Sequence, residues 1–292
     1  MSPTPRQFAF QHPGLDRAEH LREDAEALQR HWPDARVLLI DADGDVLFDG
    51  AEDAPEFGRG AHQAERADQA VFLGLDDAGD AWFALPADRS RHAAASRLDL
   101  RSAALRWPAV AASAYAQARA LLHWQARTRF CGACGQALRL ERGGFLARCP
   151  GCGLEHYPRT DPAIIVAVSD GERLLLGRQA SWPEKRWSVL AGFLEPGESL
   201  EQTVAREVME EAGVRIHACR YLASQPWPFP AALMLGFEAD AEPQPARIGA
   251  ELEDARWFGA DELRQLMATG ELLASPRLSI SRWLLEDWLD RH

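Results

Sequence analysis

Two pairs of cysteines in the middle of the chain constrain its fold more than any other feature of the sequence. The segments CGACG and CPGCG each hold two cysteines separated by two residues, and a glycine follows the second cysteine. Glycine permits the tight turn that lets both thiolates of a pair approach one ion. Four thiolates at this spacing favour tetrahedral zinc, with no position left for a substrate. We therefore expect one structural zinc ion, bound by Cys131, Cys134, Cys149 and Cys152.

Two other interpretations of these cysteines, disulfide bonds and a redox motif, are less consistent with the sequence than zinc. Disulfide bonds are disfavoured in a reducing cytosol, and a redox-active C-x-x-C motif does not need a second pair. The double pair at this spacing is more typical of a zinc site. The fifth cysteine, Cys219, lies in a strand-like segment, and we expect it to be a buried structural residue.

The bulk properties of the chain indicate a globular protein with more than one domain. Its 292 residues exceed the usual domain length of about 150 residues. Its net charge of −12 argues against general binding to nucleic acid or anionic membranes, which needs clustered lysine and arginine. The start lacks a basic region followed by an apolar run, and no apolar run is long enough to span a bilayer. We therefore expect a cytoplasmic protein with neither a secretory signal nor a membrane segment.

Alternating hydrophobic patterns predict a mixed α+β fold. Residues 36–48 and 71–85 each contain two β-rich runs around a turn, so the N-terminal third resembles a β-meander, and residues 109–128 predict a helix. Beyond the cysteines, AIIVAVSDGERLLLG predicts a hairpin, WSVLAGF and ALMLGFEAD predict strands, and SPRLSISRWLLEDWL predicts a closing helix capped by Ser279. Hairpins that alternate with helices indicate an α+β or α/β sandwich rather than a helical bundle.

The strongest chemical signal is the acidic segment GFLEPGESLEQTVAREVMEEAGV. Ser199 and Gln202 form a capping box and Gly213 suits a C-terminal cap, which predicts a helix over residues 200–212. At 3.6 residues per turn, Glu211 projects into the apolar stripe that should face the core. A carboxylate there should have a raised pKa or destabilise the helix unless a cation neutralises it.

Three glutamates of this helix, Glu207, Glu210 and Glu211, share one side of it. Such a run is most often a solvated acidic face. Arg206 can pair with Glu198 or Glu210, but no basic residue is placed to compensate Glu207 and Glu211. Carboxylate oxygens are hard ligands, so the cluster favours Mg²⁺ or Mn²⁺ over the zinc expected at the cysteines.

The same segment resembles the Nudix box, G-x5-E-x7-R-E-U-x-E-E-x-G-U, in which U is an apolar residue. The defined positions are filled by Gly192, Glu198, Arg206, Glu207, Val208, Glu210, Glu211, Gly213 and Val214. The resemblance implies an α/β/α Nudix sandwich and metal-dependent hydrolysis of a nucleoside diphosphate linked to another group. Divalent cations suit that reaction because a pyrophosphate centre repels an attacking hydroxide. The resemblance further implies that Glu198 pairs with Arg206 and that the metal ligands are Glu207, Glu210, Glu211 and Glu251, although Glu253 is close to the last.

A second motif narrows this resemblance. The box is followed by SQPWPFP and preceded by the four cysteines, as in the NADH pyrophosphatase (NAD⁺ diphosphatase) subfamily of Nudix hydrolases. The prolines of the motif should hold the backbone extended, so that its aromatic rings are rigidly placed to face a base. The resemblance implies a homodimer. It also implies substrate contacts from Gln225, Pro226, Trp227, Pro228, Phe229, Pro230, Ala231, Ala232, Tyr157, Phe193, Ala191, Arg101 and Ser281.

Two positions depart from the subfamily pattern. The motif usually ends in a serine where this chain has Ala232, and Gly144 stands where relatives carry an acidic residue, for which Glu141 is the nearest substitute. Before residue 120 the resemblance is weak, and only LDLRS, near Arg101, matches a motif. Both departures bear on affinity for the substrate and neither affects the metal glutamates.

The sequence therefore predicts hydrolysis of NADH or NAD⁺ to nicotinamide mononucleotide and AMP, and the resemblance also implies removal of the NAD cap from RNA 5′ ends. Because the chain is acidic, it should recognise the end of such an RNA and little of its body. One alternative is another nucleoside diphosphate derivative such as ADP-ribose, and another is a zinc-ribbon protein that only binds a ligand. We expect an N-terminal, mainly β domain at 1–125, a zinc ribbon at 126–157 and a Nudix domain at 158–292.

Overall fold

The structure is a computed structural model that describes residues 8–12, 14–63, 65–90, 92 and 94–292. Residues 1–7, on which part of the expected absence of a secretory signal rests, lie outside the described residues. The chain forms two compact units. Of the described residues, the N-terminal unit comprises those within 9–160 and 228–231, and the C-terminal unit comprises Phe8, 161–227 and 232–292.

The N-terminal unit is built on a seven-stranded sheet with helices on both faces. Alternate residues of the strands point to opposite faces, so Leu38 packs with α3 while Val37 and Leu39 pack with α1. The predicted helix over 109–128 is confirmed as α3. The helices are α1 Ala25–His31, α2 Leu100–Arg106 and α3 Ala109–Arg127, and the strands are β1 Arg36–Ile40, β2 Val46–Ala51, β3 Ala54–Glu56, β4 Gly58–Arg59, β5 Val71–Leu75, β6 Ala81–Pro86 and β7 Ser96–Leu98.

The strand order of this sheet differs from the expected meander. Both predicted hairpins form, as β1 with β2 and as β5 with β6. The order is β3-β2-β1-β6-β5, however, and β1 pairs with β6 in parallel, so the prediction of a meander is wrong. The reason is burial, because β1 and β6 are buried along nearly their whole length and pairing them puts both in the middle of the sheet.

The cysteine region follows α3 directly and belongs to the N-terminal unit. It forms a three-stranded antiparallel ribbon in the order β10-β9-β8. Its strands are β8 Arg139–Glu141, β9 Leu146–Arg148 and β10 Glu155–His156.

The C-terminal unit is a helix-sheet-helix sandwich around a six-stranded mixed sheet. Along β11, Ile164 and Val166 pack with α4, whereas Ile165 and Ala167 pack with α6. The order is β14-β15-β11-β12-β16, with β13 also paired to β11. The strands are β11 Asp161–Ser169, β12 Arg173–Arg178, β13 Leu190–Phe193, β14 Ile216–Trp227, β15 Ala232–Ala241 and β16 Asp254–Gly259, and the helices are α4 Leu200–Ala212, α5 Ala260–Thr269 and α6 Ile280–Arg291.

The predictions for this half of the chain agree with the structure in class and position. The hairpin after the cysteines is β11 with β12, and the closing helix α6 begins after Ser279, whose side chain accepts a hydrogen bond from the Arg282 backbone. The mixed α+β fold with a cysteine ribbon between its two parts is therefore confirmed. In the described part of the chain, no helix has the length and apolar character needed to cross a membrane.

Candidate active site and zinc centre

The acidic helix α4 forms at the residues that its sequence signals predict. The Ser199 side chain accepts a hydrogen bond from the Gln202 backbone, and the Gln202 side chain accepts one from the Ser199 backbone. At the other end Gly213 adopts a left-handed conformation, with φ 63°, which glycine tolerates without strain. Val204 and Val208 are fully buried against the sheet. The helix therefore presents a fixed line of carboxylates along its remaining side.

Arg206 donates hydrogen bonds to three carboxylates, two on α4 and one just before it. Its Nε and Nη2 atoms donate to the two carboxylate oxygens of Glu198 at 2.6 and 2.9 Å, which is a bidentate pair. Its Nη1 atom donates to Glu207 at 2.9 Å and to Glu210 at 3.0 Å. The expectation that Glu207 has no basic partner is therefore wrong, because one forked guanidinium reaches several carboxylates at once. The hydrogen bonds from Arg206 lower the pKa of Glu198 to about 2.

Glu211 has the opposite environment. Its side chain lies in the apolar face of α4, the residue is only 5% exposed, and its Oε2 atom has no hydrogen-bond partner among the described residues. Burial first, and then the nearby charges of Glu207 and Glu251, raise the pKa of Glu211 to about 8. Burial also raises the pKa of Glu207, against the lowering effect of Arg206. The predicted burial of Glu211 is confirmed, and its charge calls for a cation.

Gly192 of the Nudix box has a steric role in this site. A Cβ atom on Gly192 would lie 1.8 Å from the carboxyl carbon of Glu207, which is far inside van der Waals contact. The Glu207 carboxylate therefore lies directly against the backbone of β13. Any larger residue at position 192 has to displace that carboxylate.

A loop that sequence reasoning overlooked holds the end of α4. The backbone N–H of Arg247 donates to the carbonyl of Ala212 at 2.7 Å, and that of Gly249 donates to the carbonyl of Glu211 at 2.9 Å. A Cβ atom on Gly249 would lie 2.0 Å from the Glu210 carbonyl oxygen, so only glycine fits this approach. A lone glycine in a loop is a weak signal, and no motif marks this one. The loop fixes the backbone two residues before Glu251.

The structure also distinguishes Glu251 from Glu253 as the candidate for the fourth acid of the cluster. Arg178 binds the carboxylate of Glu253 at 2.6 Å, so this acid already has a cationic partner. Glu251 is exposed, and its charge raises the pKa of both Glu207 and Glu211. The geometry therefore favours Glu251 over Glu253 as a member of the cluster on α4.

The donor set of this cluster fits a hard divalent cation. All its donors are carboxylate oxygens, and one of them is the buried, unpartnered Oε2 atom of Glu211. The oxygens are spread more widely than the thiols of the ribbon. In the described chain only the four cysteines bring the ligand atoms of three or more residues within 4.8 Å of one another.

The four cysteines form a compact cluster of thiols. The Sγ atoms of Cys131 and Cys152 are 3.6 Å apart, and those of Cys134 and Cys149 are 3.3 Å apart. Both distances exceed the S–S bond length of about 2.0 Å, so the disulfide interpretation is wrong for this arrangement. The glycine after each pair, Gly135 and Gly153, has φ near 75°, as the predicted turns require. The cluster fits tetrahedral zinc with all four positions filled by protein.

The titration of these thiols also favours a cation among them. A hydrogen bond with His156, together with backbone N–H groups, lowers the pKa of Cys131 to about 6. The backbone of Gln136 lowers the pKa of Cys134, but contacts with the other thiols, Cys149 first, raise it to about 12. Four adjacent thiols cannot all ionise without a positive charge between them. His156 is a neighbour of the zinc site that sequence reasoning missed.

The fold, the acidic site and the cysteine cluster can be compared with known proteins. Three family models match successive parts of the chain: an NADH pyrophosphatase-like rudimentary NUDIX domain at 26–124, an NADH pyrophosphatase zinc ribbon domain at 126–157, and a NUDIX domain at 158–278. The NAD-capped RNA hydrolase NudC of Mycobacterium bovis is 38% identical over 291 residues, which is 94% of this chain and 92% of that protein. The chain belongs to the NADH pyrophosphatase family of Nudix hydrolases.

Two further relatives support this membership. The NAD-capped RNA hydrolase NudC of Stutzerimonas stutzeri is 48% identical over 173 residues, which is 58% of each chain. The human protein named NAD(P)H pyrophosphatase NUDT13, mitochondrial, is 35% identical over 264 residues, covering 80% of this chain and 75% of that protein. The resemblance inferred from the box, the ribbon and SQPWPFP is therefore confirmed.

The SQPWPFP stretch of this NADH pyrophosphatase-family chain forms a hairpin. Ser224–Trp227 is the extended end of β14, and Ala232 opens β15, with Trp227 paired to Ala232. The prediction of an extended backbone is correct for Pro226 and Trp227. It is wrong for residues 228–231, which make the hairpin turn and include a cis peptide bond between Phe229 and Pro230. Proline adopts the cis form far more readily than other residues and does so in tight turns.

Two polar residues expected to contact the substrate are buried in the C-terminal unit. The amide of Gln225 donates to the Leu278 carbonyl at 2.8 Å and accepts from the Ile280 backbone at 2.8 Å. The hydroxyl of Ser281 bonds to the hydroxyls of Ser188 and Ser275 at 2.8 and 3.0 Å. In this structure both side chains hold the start of α6 in place. Sequence reasoning places these residues near the site but does not reveal such backbone and hydroxyl partners.

The tip of the hairpin and Arg101 meet within the N-terminal unit. The Arg101 guanidinium lies 4.0 Å from the centre of the Phe229 ring, and that of Arg119 lies 4.9 Å from it. Arg119 also donates to the carbonyls of Pro228 and Gly44. Phe229 is thus held between two cations. Sequence reasoning did not find Arg119, because this residue lies on a helix without a recognisable motif. Ala231 is the last residue of the hairpin turn.

The remaining predicted contact residues lie at accessible or half-buried positions. Phe193 ends β13 and is 60% exposed, and its carbonyl accepts a hydrogen bond from Arg206 at 2.9 Å. Ala191, two residues earlier, is half-buried and its backbone hydrogen-bonds Glu211. Tyr157 is 57% exposed in the N-terminal unit and donates to Glu155. The C-terminal unit therefore brings Ala191 and Phe193 to the acidic helix.

The two departures from the subfamily pattern have local explanations. Gly144 has φ 89°, a conformation that strains any residue with a Cβ atom, and a Cβ atom there would also require the Gln125 side chain, 2.8 Å away, to move. Glu141, the expected substitute for the missing acid, is already paired with Arg148 at 2.9 Å. Cys219 is half-buried in β14 rather than fully buried, because it lies near the edge of the sheet.

Proposed function

We propose that this protein hydrolyses the pyrophosphate bond of NADH and NAD⁺, giving nicotinamide mononucleotide and AMP, and that it removes the NAD cap from RNA 5′ ends. The observation that carries the proposal is the complete acidic site on α4, with the unpartnered Glu211 oxygen at its centre. The relatives named as NAD-capped RNA hydrolase and NAD(P)H pyrophosphatase give the substrate class.

The catalytic ion in this proposal is Mg²⁺ or Mn²⁺, held by Glu207, Glu210, Glu211 and Glu251. When bound, a divalent ion neutralises the pyrophosphate oxygens and makes attack by water easier. The raised pKa values of Glu207 and Glu211 support this ligand set, because an added positive charge relieves the repulsion that raises them. The pairing of Glu253 with Arg178 supports Glu251 as the fourth member.

The protein's own residues position this cluster before any substrate binds. Arg206 and Glu198 form a bidentate pair that also orients Glu207 and Glu210, so the four side chains act as one unit. Gly192 lets Glu207 lie against β13, and the Gly249 loop fixes the last turn of α4. Burial of Glu211 excludes water from one side of the cluster, which strengthens its interaction with a cation.

Recognition of the nicotinamide nucleotide is assigned to the residues that the family resemblance implies. Phe193 and Tyr157 offer exposed aromatic rings, and a flat ring stacks on a base with little loss of conformational entropy. Gln225 and Ser281, which the resemblance also assigns to the substrate site, hold the start of α6 through their buried hydrogen bonds. The remaining proposed contacts are Arg101, Ala191, Pro226, Trp227, Pro228, Phe229, Pro230, Ala231 and Ala232.

The organisation of the molecule completes the proposal. We assign residues 1–125 to an N-terminal domain, 126–157 to a zinc ribbon with one structural zinc ion, and 158–292 to the Nudix domain. The three matches to family models support this division. We further propose a cytoplasmic homodimer, as the family resemblance implies, and light scattering of the pure protein measures its mass directly.

The test is turnover of NADH, NAD⁺ and ADP-ribose by the pure protein with Mg²⁺ or Mn²⁺, followed by separation of the products. We expect both dinucleotides to be cleaved faster than ADP-ribose, and Glu211→Gln to lose about 100-fold or more in kcat, in the range of losing one strong electrostatic contact. Glu253→Gln is the matched control and should retain activity. Absence of dinucleotide turnover, or full activity of Glu211→Gln, contradicts the proposal.

A further inference from the structure

The basic residues of this acidic chain are unevenly distributed. Residues 100–140 contain no aspartate and no glutamate, whereas the chain as a whole has a net charge of −12. The same segment contains six arginines: Arg101, Arg106, Arg119, Arg127, Arg129 and Arg139. A local excess of positive charge attracts anions even where the molecule as a whole repels them.

A groove of about 520 Å³ lies within this segment, entirely in the N-terminal unit. Its walls come from the C-terminal end of α3, the start of the zinc ribbon and the loop that follows β6. Leu122, Leu138 and Leu140 give it an apolar floor. Arg89, Arg129 and Phe130 supply the charge and the aromatic ring at its edge.

The side chain of Phe130 is exposed, and the backbone that carries it is braced by hydrogen bonds. The residue is 61% exposed, although phenylalanine normally lies in the core. Its backbone forms a bridge with Ala137, and the flanking backbone bonds run from Leu138 to Arg129 at 3.0 Å and from Cys131 to Gln136 at 2.8 Å. The ring therefore projects from the braced knuckle that carries the first zinc ligand. An exposed ring on a braced backbone offers a flat surface with a smaller loss of entropy on binding than a ring on a mobile loop.

The arginines around this ring lack acidic partners. Within the described ranges, no carboxylate lies within the 4.0 Å of an ion pair from Arg89 or Arg129, the two arginines that line the groove. The Arg129 guanidinium instead lies 5.9 Å from the centre of the Phe130 ring. One acid, Asp88, lines the groove. Unpaired guanidinium groups beside an exposed ring are the donors that bind phosphates, while the ring stacks on a base.

We propose that this groove binds a short segment of single-stranded RNA, with a base stacked on Phe130 and phosphates held by Arg89 and Arg129. The RNA is single-stranded because a paired base cannot expose its face to a side chain. An acidic peptide would satisfy the arginines but would leave the ring without a stacking partner. The proposal deepens the proposed function, since a capped RNA is a substrate that carries such a segment, and it rests on that function for its biological role.

The groove accommodates only a short stretch of RNA. Its volume and its two unpaired arginines suit about two nucleotides, and the net negative charge of the whole chain opposes the binding of a longer RNA. Affinity should therefore rise over the first few nucleotides of an RNA and then stop rising. This is compatible with recognition of the RNA end and little of its body, which the net charge predicts.

Direct binding tests the groove independently of catalysis. The probe is a 5′-monophosphate RNA hexamer with a 3′-fluorescein label, followed by fluorescence anisotropy at several salt concentrations. Arg129→Gln and Phe130→Ala should each weaken binding about fivefold or more, in line with the effect of losing one base stack. Arg129→Gln should also reduce the salt dependence, by about 0.7 in the logarithmic slope. Arg30→Gln, which removes the same charge from a side chain 68% exposed in the same unit, should have no effect.

Turnover separates this inference from the proposed function. With NAD-capped RNA as substrate, the Arg129→Gln, Phe130→Ala double variant should show a KM raised about tenfold or more, while kcat/KM for NADH stays within about twofold of the unchanged protein. Zinc content and molecular mass are measured on the same preparations. Wild-type binding of the hexamer by both variants overturns the inference, whatever the activity. Loss of zinc, of the native mass or of NADH turnover together with binding also overturns it, because the residues would then be structural. If capped RNA is not cleaved at all, the proposed cap removal fails, and the anisotropy result alone decides the groove.

Discussion

The cysteine cluster of the ribbon and the acidic cluster on α4 differ in how completely the protein itself satisfies their polar groups. The thiols of the ribbon lie within 4.8 Å of one another, on knuckles braced by backbone hydrogen bonds and by glycines in left-handed conformations. The carboxylates of α4 stay further apart, and one of their oxygens is buried without a partner. The ribbon can be closed by one permanently bound ion, whereas α4 leaves a buried carboxylate oxygen without a partner at the proposed catalytic site.

This difference has an energetic consequence. A structural zinc contributes directly to folding, so the ribbon should lose stability when a ligand is removed. A buried and uncompensated carboxylate opposes folding until a cation arrives, so the acidic site should gain stability when the same kind of change is made there. The two clusters should therefore respond to the loss of one ligand with opposite signs.

The largest expected effect is at the ribbon. Replacing the buried Cys149 by serine should abolish tight zinc binding and lower the thermal midpoint of the protein by about 10 °C or more, because binding free energy at such a site is folding free energy. The measurement is metal content together with thermal unfolding. Cys219→Ser is the matched control, since this thiol lies outside the cluster, and it should retain one zinc per chain. If Cys149→Ser retains zinc, Cys149 is not an essential ligand, and the expected contrast between the ribbon and α4 fails.

The second effect is a gain in stability when a buried acid of α4 is replaced, opposite to the loss expected at the ribbon. In metal-free protein at about pH 7, Glu211→Gln should raise the thermal midpoint by about 3 °C or more, because an amide avoids both a buried charge and the proton uptake on folding that the raised pKa of Glu211 requires. Adding Mg²⁺ should stabilise the unchanged protein more than this variant. Glu210→Gln serves as control, because Glu210 is exposed and paired with Arg206, and its loss should not stabilise. A lower midpoint for metal-free Glu211→Gln would mean that the carboxylate is not under strain.

The pH dependence follows from the same group. Glu211 in the folded protein has its pKa raised from 4.5 to about 8, so the folded state binds the proton more tightly than the unfolded state. The resulting stability is complete below about pH 4.5 and is lost as the pH rises through about 8, with a slope of at most about 1.4 kcal/mol per pH unit. The difference in unfolding free energy between the unchanged protein and Glu211→Gln, measured without metal, should show this slope. A difference that does not vary between pH 5 and 8 would contradict it.

The features that the sequence predicts well are those set by local chemistry. The bounds of α4 follow from a capping box, a helical period and a C-terminal glycine, all within fifteen or so residues of chain. The zinc cluster follows from spacing alone, and the burial of Glu211 follows from its position on the helical wheel. Each of these needs no knowledge of the remainder of the fold.

The features that the sequence does not reveal depend on residues distant in the chain. The parallel pairing of β1 with β6 is decided by which strands bury both faces. The bonds from Arg247 and Gly249 to α4 depend on a loop more than thirty residues further on. The hydrogen bond from Arg119 to Pro228 joins residues 109 positions apart, and Arg119 also contacts the Phe229 ring. The turn at Phe229 and Pro230 was missed because proline restricts the backbone without deciding between the trans and cis forms.

The smallest expected effect concerns which acid beyond α4 completes the cluster. Glu251 and Glu253 are two residues apart and differ in their partners: Arg178 holds Glu253, whereas Glu251 acts on Glu207 and Glu211. Glu251→Gln should weaken Mn²⁺ binding, measured by calorimetry, about tenfold, while Glu253→Gln should change it less than twofold, in keeping with the usual range for residues that support a metal site. Each substitution removes one negative charge, so an effect of general electrostatics would be equal in both. A larger loss with Glu253→Gln would show that Arg178 releases its carboxylate to the ion, and the unsatisfied site would then extend to β12 instead of ending at the loop held by Gly249.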